Sequence, residues 1–364
     1  MAGPAYGTID VTMPITTPRW LRRAWPWIQF LGGLGLAALA LWALAGRRNE
    51  LAGVTHYLDD IDGGWVALAV VAEAASLLAF ALVQRDCLAA GSLRVTRTQM
   101  TGVTLAATAI SNSIPAGPLL ASVYAFRQYR RRGADDTLAG WTLVAVLVAA
   151  SVSLALLAAL GVVVAGSAGH SYDLTGVTLA VLGVTLAVGV LFVQRDALIW
   201  VLRQGIGVSR RVTGRPRGEI GASVDHVVGR LTVVGLKPGA ALAVLGWGLA
   251  SWVADCACLA CAFLAVGAPV PWRGLLLAYG AGQLAANLPI TPGGLGVVEG
   301  SITIALSYFG GSEPAAIAAV LLYRILSFWL ELPIGWGTWA AMAWSGRRAR
   351  AVVPVEEGVA EVTA

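Results

Sequence analysis

Apolar residues run in long blocks along this chain, separated by short polar stretches rich in arginine. Six blocks are long enough to predict full membrane-spanning helices: Trp25–Ala45, Gly63–Val83, Thr137–Ala165, Leu174–Val193, Ala240–Val266 and Ala315–Trp344. Two further blocks are interrupted. Thr98–Phe126 contains no charge but is broken by Ser111-Asn-Ser-Ile-Pro-Ala-Gly-Pro118. Gly274–Phe309 is broken by Leu284-Ala-Ala-Asn-Leu-Pro-Ile-Thr-Pro-Gly-Gly-Leu-Gly-Val-Val-Glu-Gly300. A continuous membrane helix does not tolerate that density of proline and glycine, and irregular backbone survives at membrane depth only where protein or a wet cavity covers it. The predicted fold is an all-α polytopic membrane protein with about six full spans plus two broken, re-entrant helical hairpins.

Basic residues orient these elements. The segment following Val193 carries Arg195, Arg203, Arg210, Arg211, Arg215, Arg217, Arg230 and Lys237, whereas Gly166–Asp173 has no Lys or Arg. The positive-inside rule makes the first cytoplasmic and the second external, and it puts both termini in the cytoplasm. Arg94 and Arg97 before the first interrupted block, and Arg127, Arg130, Arg131 and Arg132 after it, predict that this block enters from the cytoplasm and returns there. The second interrupted block, between loops nearly free of basic residues, opens outward. Each half then reads span, span, broken segment, span, in opposite orientations, which predicts an inverted-topology repeat. The domain reading is a cytoplasmic tail 1–24, a membrane domain 25–344 and a cytoplasmic tail 345–364. Within the membrane domain the halves are 25–166 and 174–344, with a cytoplasmic linker 194–239. In that linker Ile220, Val224, Val227, Val228, Leu231 and Val234 repeat at helical spacing, as an amphipathic helix on the inner leaflet would.

Composition agrees. Hydrophobic residues make up 57% of the chain and charged ones 12%, with mean hydropathy +0.74, too few charges for a soluble surface. Trp20, Trp25, Trp27, Trp65, Trp272 and Trp344 lie near span ends, as interfacial tryptophans do. No apolar segment precedes Trp25, so no cleavable leader is expected. The formal net charge is +5, and Lys237 is the only lysine, so the positive charge is nearly all arginine. These features place the chain in the cell membrane as a multi-pass protein.

Against that background the charges inside spans stand out: Glu73, Asp255, Glu299, Arg324 and Glu331. Each costs about 2.5–3.5 kcal/mol to insert, so each should face the interior and have a partner. Arg324 is expected to pair with Glu299 or to meet a substrate phosphate. Glu73, Asp255 and Glu331 read as coupling charges or as structural ones. In the second break, Thr291 can cap a new helix with Pro292 at its first position. Gly293, Gly294 and Gly296 would then present bare N–H groups at a positive dipole end, an anion site. Asn112 and Asn287, at matching places in the two breaks, and Ser113 are candidate ligands for a headgroup or coupling ion, or helix caps. The candidate substrate-binding set is therefore Asn112, Ser113, Asn287, Thr291, Gly293, Gly294, Gly296, Glu299 and Arg324.

Catalytic and metal readings fail. Cys256, Cys258 and Cys261 lie mid-span without a histidine nearby, so small apolar packing is expected there and no metal. Gly169-His-Ser-Tyr-Asp173 gathers triad residue types as sequence neighbours, which do not converge as nucleophile, base and orienter. No cofactor is implied, no enzyme activity is expected, and nothing points to nucleic acid.

Asn287-Leu-Pro-Ile-Thr-Pro-Gly-Gly-Leu-Gly-Val-Val-Glu-Gly300, then Ala319-Val-Leu-Leu-Tyr-Arg-Ile-Leu-Ser-Phe-Trp329 and Pro333-Ile-Gly335, resemble the lysylphosphatidylglycerol synthase transmembrane, or flippase-like, family. The resemblance spans about 25–345 and is sharpest in the last third. It implies a multi-pass domain that moves lipid headgroups between leaflets. Some family members fuse it to a cytosolic aminoacyltransferase, which is not expected in this chain. After Ile114-Pro115-Ala-Gly117 the family pattern has an acid and an arginine close by, where this chain has Pro118-Leu-Leu-Ala121. The function expected is a flippase or transporter for a phospholipid or polyprenyl-phosphate-type lipid, working by alternating access with a membrane lipid as substrate. The alternative is a non-transporting membrane subunit that docks a cytosolic or membrane lipid-modifying enzyme or glycosyltransferase. Association with further copies of the chain is compatible with either.

Overall fold

The computed structural model describes residue 57 and residues 61–113, 117–166, 236–286, 292–309 and 312–351. The expected spans Trp25–Ala45 and Leu174–Val193, the amphipathic stripe, Asn287 and Thr291 lie outside the described residues. Every element described is helical: α1 Gly63–Ala90, α2 Arg97–Ser113, α3 Gly117–Arg131, α4 Asp136–Gly166, α5 Pro238–Ala265, α6 Trp272–Ala286, a 3-10 turn Pro292–Gly294, α7 Val297–Tyr308, α8 Glu313–Arg324, a π-turn Ile325–Trp329 and α9 Glu331–Ala351. Among the described residues, four helical stretches are long and apolar enough to cross a membrane: α1, α4, α5, and the run Glu313–Ser345 through α8 and α9. Leu147, Val163, Leu242 and Val71 are exposed on these stretches, as lipid-facing side chains would be.

Both interrupted blocks are broken where the sequence predicts it. α2 ends at Ser113 and α3 starts at Gly117, with Pro118 in its first turn where a missing N–H costs nothing. A side chain at Gly117 would run into the Ser111 carbonyl, so the chain folds back closely on itself there. α2 and α3 pack together, as do α6 and α7 on either side of the second break.

Two boundaries differ from expectation. Hydropathy drops after Val83, yet α1 continues through Arg85 and Asp86 to Ala90, because helical hydrogen bonding does not need apolar side chains. It stops where the Gly91 N–H turns back to the Leu88 carbonyl. The span after Ala315 is also not uniform. Leu330 N–H bonds the Ile325 carbonyl at 2.9 Å, widening one turn between Arg324 and Glu331. Such bulges concentrate at functional sites.

Without a hydrophobic drive between helices in lipid, close approach and polar pins must hold the bundle together. α1 and α5 pack extensively and run antiparallel: the Asp62 N–H meets the Ala265 carbonyl at 2.9 Å, and Ser251 Oγ donates to the Ser76 carbonyl at 3.1 Å. α4 and α6 cross where Gly161 lets the backbone of α6 approach; an added Cβ would lie 2.7 Å from the Leu277 amide nitrogen. The α2–α3 hairpin is pinned to α1 by a buried chain. Tyr129 OH donates to Gln84 Oε1 at 2.7 Å, and Gln84 Nε2 donates to Thr104 Oγ1 at 2.9 Å.

Candidate functional site

The second break is built around three glycines. Gly293, Gly294 and Gly296 have φ of 58°, 70° and 82°, a left-handed backbone that side chains resist. Pro292 therefore opens a short 3-10 turn and not the α-helix itself, which begins at Val297 with Gly296 as its N-cap. The sequence expectation placed the helix start too early. Glu299 is in the first turn, at the third helical position.

That position decides the local chemistry. Glycine has no side chain with which to cap the helix, so the reciprocal half of a capping box does the work: Gly296 N–H donates to Glu299 Oε2 at 2.6 Å. The expectation of bare amides is corrected at Gly296, whose N–H is occupied by the chain's own carboxylate. The other oxygen, Glu299 Oε1, takes the Nε–H of Arg324 at 2.6 Å, and Arg324 Nη2 donates to the Gly293 carbonyl at 2.9 Å. The guanidinium carbon lies 4.6 Å from the centre of the Phe328 ring. Phe328 in turn fills the space that a Cβ on Gly293 would need. Arg324 is 9% exposed. One arginine thus clamps both ends of the glycine turn from α8.

The face of α8 next to this clamp joins a second polar group. Glu73 of α1 faces Asp255 of α5 and Glu331 at the start of α9, with Cys258 beside it. Tyr279 OH donates to Asp255 Oδ2 at 2.6 Å, Gln283 Nε2 reaches the same oxygen at 3.4 Å, and Gln283 Nε2 also donates to Tyr323 OH at 3.2 Å. Glu73 Oε2 and Asp255 Oδ1 are sealed from solvent with no hydrogen-bond partner among the described residues. Arg324 lies close enough to Asp255 and Glu331 for its charge to act on both. Sequence reading missed Tyr279, Gln283 and Tyr323. The signal was present for two of them: Tyr279 and Gln283 are four apart, on one face of an otherwise apolar helix.

The first break approaches the same region. α2 packs against the Pro292–Gly294 turn. Ser113 at its end donates to the Ala109 carbonyl at 2.6 Å and accepts from Trp336 Nε1 of α9 at 3.0 Å. Asn112 is half-buried in the last turn of α2. No group of three or more His, Cys, Asp or Glu among the described residues could hold a metal ion.

Helices of spanning length, two broken segments and a buried ionic clamp define a multi-pass membrane protein with an interior polar site. The chain belongs to the family described as the lysylphosphatidylglycerol synthase TM region, which matches residues 30–335. It is also similar to a UPF0104 membrane protein of Methanothermobacter thermautotrophicus, with 38% identity over 52 residues. That match spans 14% of this chain and 15% of the archaeal protein, so it is a local likeness. The part of the family that this chain matches is the membrane region, as distinct from a catalytic domain.

Proposed function

We propose that the protein moves a lipid headgroup carrying a phosphate across the cell membrane by alternating access. The observation that carries this reading is Arg324, a buried cation held by a glycine turn and its capping carboxylate, inside a bundle interrupted twice. A guanidinium at membrane depth is expensive, and functional sites are where such costs are retained. Glu299 holds Arg324 and the Gly296 amide, both of which favour an anion. A headgroup phosphate reaching this turn would take the place of that carboxylate, with Gly293 and Gly294 leaving the backbone close to the ligand. Asn112, Ser113, Asn287 and Thr291 would complete the polar wall while the acyl or prenyl tails stay in lipid.

Glu73, Asp255 and Glu331 are assigned to coupling in this reading. Their carboxyl groups come from three helices and meet in one buried cluster, so a change in the charge of one is felt by the others. The two breaks act as re-entrant hairpins of an inverted repeat, and the halves rock about them with both termini in the cytoplasm.

Headgroup translocation in proteoliposomes tests the reading. Arg324→Ala and Glu299→Gln should each abolish or strongly slow it, while Arg347→Gln should not. Unchanged translocation in both site variants overturns the assignment. A protein that never flips lipid but copurifies with a stoichiometric lipid-modifying enzyme would turn the reading to the docking subunit.

A further inference from the structure

A cavity of about 530 Å³ lies at the C-terminal end of α1, and none of the residues that line it belongs to the Arg324 clamp. It is lined by Arg85 and Ala89 of α1, by Arg94, Val95 and Thr96 of the connector, and by Arg97 at the start of α2. We propose that this cavity binds a phosphate group, carried by an anionic phospholipid of the leaflet it faces.

Charge is the first argument. Three arginines are among the six residues that line one hollow. Arg85 has only a loose neighbour, with Nε 3.9 Å from Asp86 Oδ1. Neither Arg94 nor Arg97 pairs with a carboxylate among the described residues, and both side chains are exposed. Positive-inside topology accounts for arginines near a span end, but not for three of them lining one cavity. Guanidinium forks match phosphate oxygens in pairs, and a bound phosphate relieves their mutual repulsion.

Depth is the second argument. From Gly63 to Arg85, α1 rises roughly 33 Å at about 1.5 Å per residue, close to the ~30 Å hydrocarbon thickness. The guanidiniums therefore stand at headgroup level. The third argument is the apolar floor: Ala89 and the buried Val95 line the cavity beside the arginines. That floor suits glycerol carbons and the roots of acyl chains, which free phosphate does not have. A basic pocket beside membrane helices is how headgroups are recognised. The site is separate from the Arg324 clamp, so it stands whether or not the protein transports lipid.

Native mass spectrometry of the full chain in detergent, titrated with dioleoyl phosphatidylglycerol, tests the proposal. Dioleoyl phosphatidylcholine and inorganic phosphate are the comparison probes. The Arg94→Gln/Arg97→Gln variant should bind phosphatidylglycerol about tenfold more weakly, or worse, with phosphatidylcholine binding unchanged. Arg347→Gln/Arg348→Gln removes the same charge elsewhere and should leave binding intact. Arg94→Lys/Arg97→Lys should fall between, since charge stays but the fork is lost. Displacement of the lipid by millimolar phosphate would assign the site to free phosphate; no displacement assigns it to the lipid. Equal phosphatidylglycerol binding by wild type and Arg94→Gln/Arg97→Gln, at matched melting temperature, overturns the proposal. So does an equal loss in Arg347→Gln/Arg348→Gln.

Discussion

Arg324 and Glu299, 25 residues apart, share a 2.6 Å ion pair whose carboxylate also caps the Gly296 amide at 2.6 Å. The pair therefore does two jobs at once. It neutralises a buried cation and it supplies the cap that a glycine cannot. Because Arg324 also holds the Gly293 carbonyl, removing it frees the whole turn and not one contact.

Arg324→Ala should destabilise the protein by about 3 kcal/mol, since breaking a buried pair strands the remaining charge. Glu299 retains 21% side-chain exposure, which keeps the cost at the low end of that range. Adding Glu299→Gln should recover part of the loss, with a coupling energy of roughly 1–3 kcal/mol. Thermal unfolding of the four proteins in one detergent measures it. Purely additive losses would mean that the two side chains do not act as a unit.

Gly293→Ala should cost about 1–3 kcal/mol, because the residue sits at φ 58° and its new methyl would meet the Phe328 ring. Gly300→Ala is the contrast: its Cβ would meet nothing, and in a helix alanine should gain about 0.5–1 kcal/mol. Opposite shifts in melting temperature are the expected result.

Tyr279→Phe removes the hydroxyl that donates to Asp255 Oδ2 at 2.6 Å, leaving that oxygen only the long 3.4 Å contact from Gln283 on a carboxylate whose Oδ1 already lacks a partner among the described residues. A loss of about 1–3 kcal/mol is expected. Tyr279→Phe combined with Asp255→Leu should be milder than Tyr279→Phe alone, because no acceptor is then stranded. Chemical unfolding curves distinguish the two.

Tyr129→Phe should loosen the α2–α3 hairpin from α1. Gln84 Oε1 loses its 2.7 Å donor in a fully buried place, at a cost of about 1–3 kcal/mol. The loss should be local. Hydrogen exchange of α2 and α3 amides should accelerate while α5 and α8 keep their protection; equal acceleration throughout would contradict a hairpin pinned at that point.

The described spans and both breaks were legible from hydropathy and from proline and glycine. Gly63, Asp136 and Pro238 begin helices within two residues of the predicted starts. That Arg324 needs a partner was legible too, with Glu299 or a substrate phosphate as the two expected, and the fold supplies Glu299. The start of α7 was not. A run of glycines reads as an open helix terminus, and only the left-handed backbone at Gly293, Gly294 and Gly296 moves the first turn to Val297. The π-turn at Ile325–Trp329 carries no local signal, because it inserts a residue into a stretch without a proline or glycine to mark the place.

The amino-acid sequence by itself determined the medium, the spacing of spans and the places where the helix could not continue, because transfer free energy and backbone propensity are local quantities. The tertiary structure alone decided the partners. Glu73, Asp255 and Glu331 come from three helices and meet because their depth and rotation agree, which no window of sequence encodes. Arg85, Arg94 and Arg97 likewise line one cavity only because α1 runs past its apolar end before the chain turns into α2.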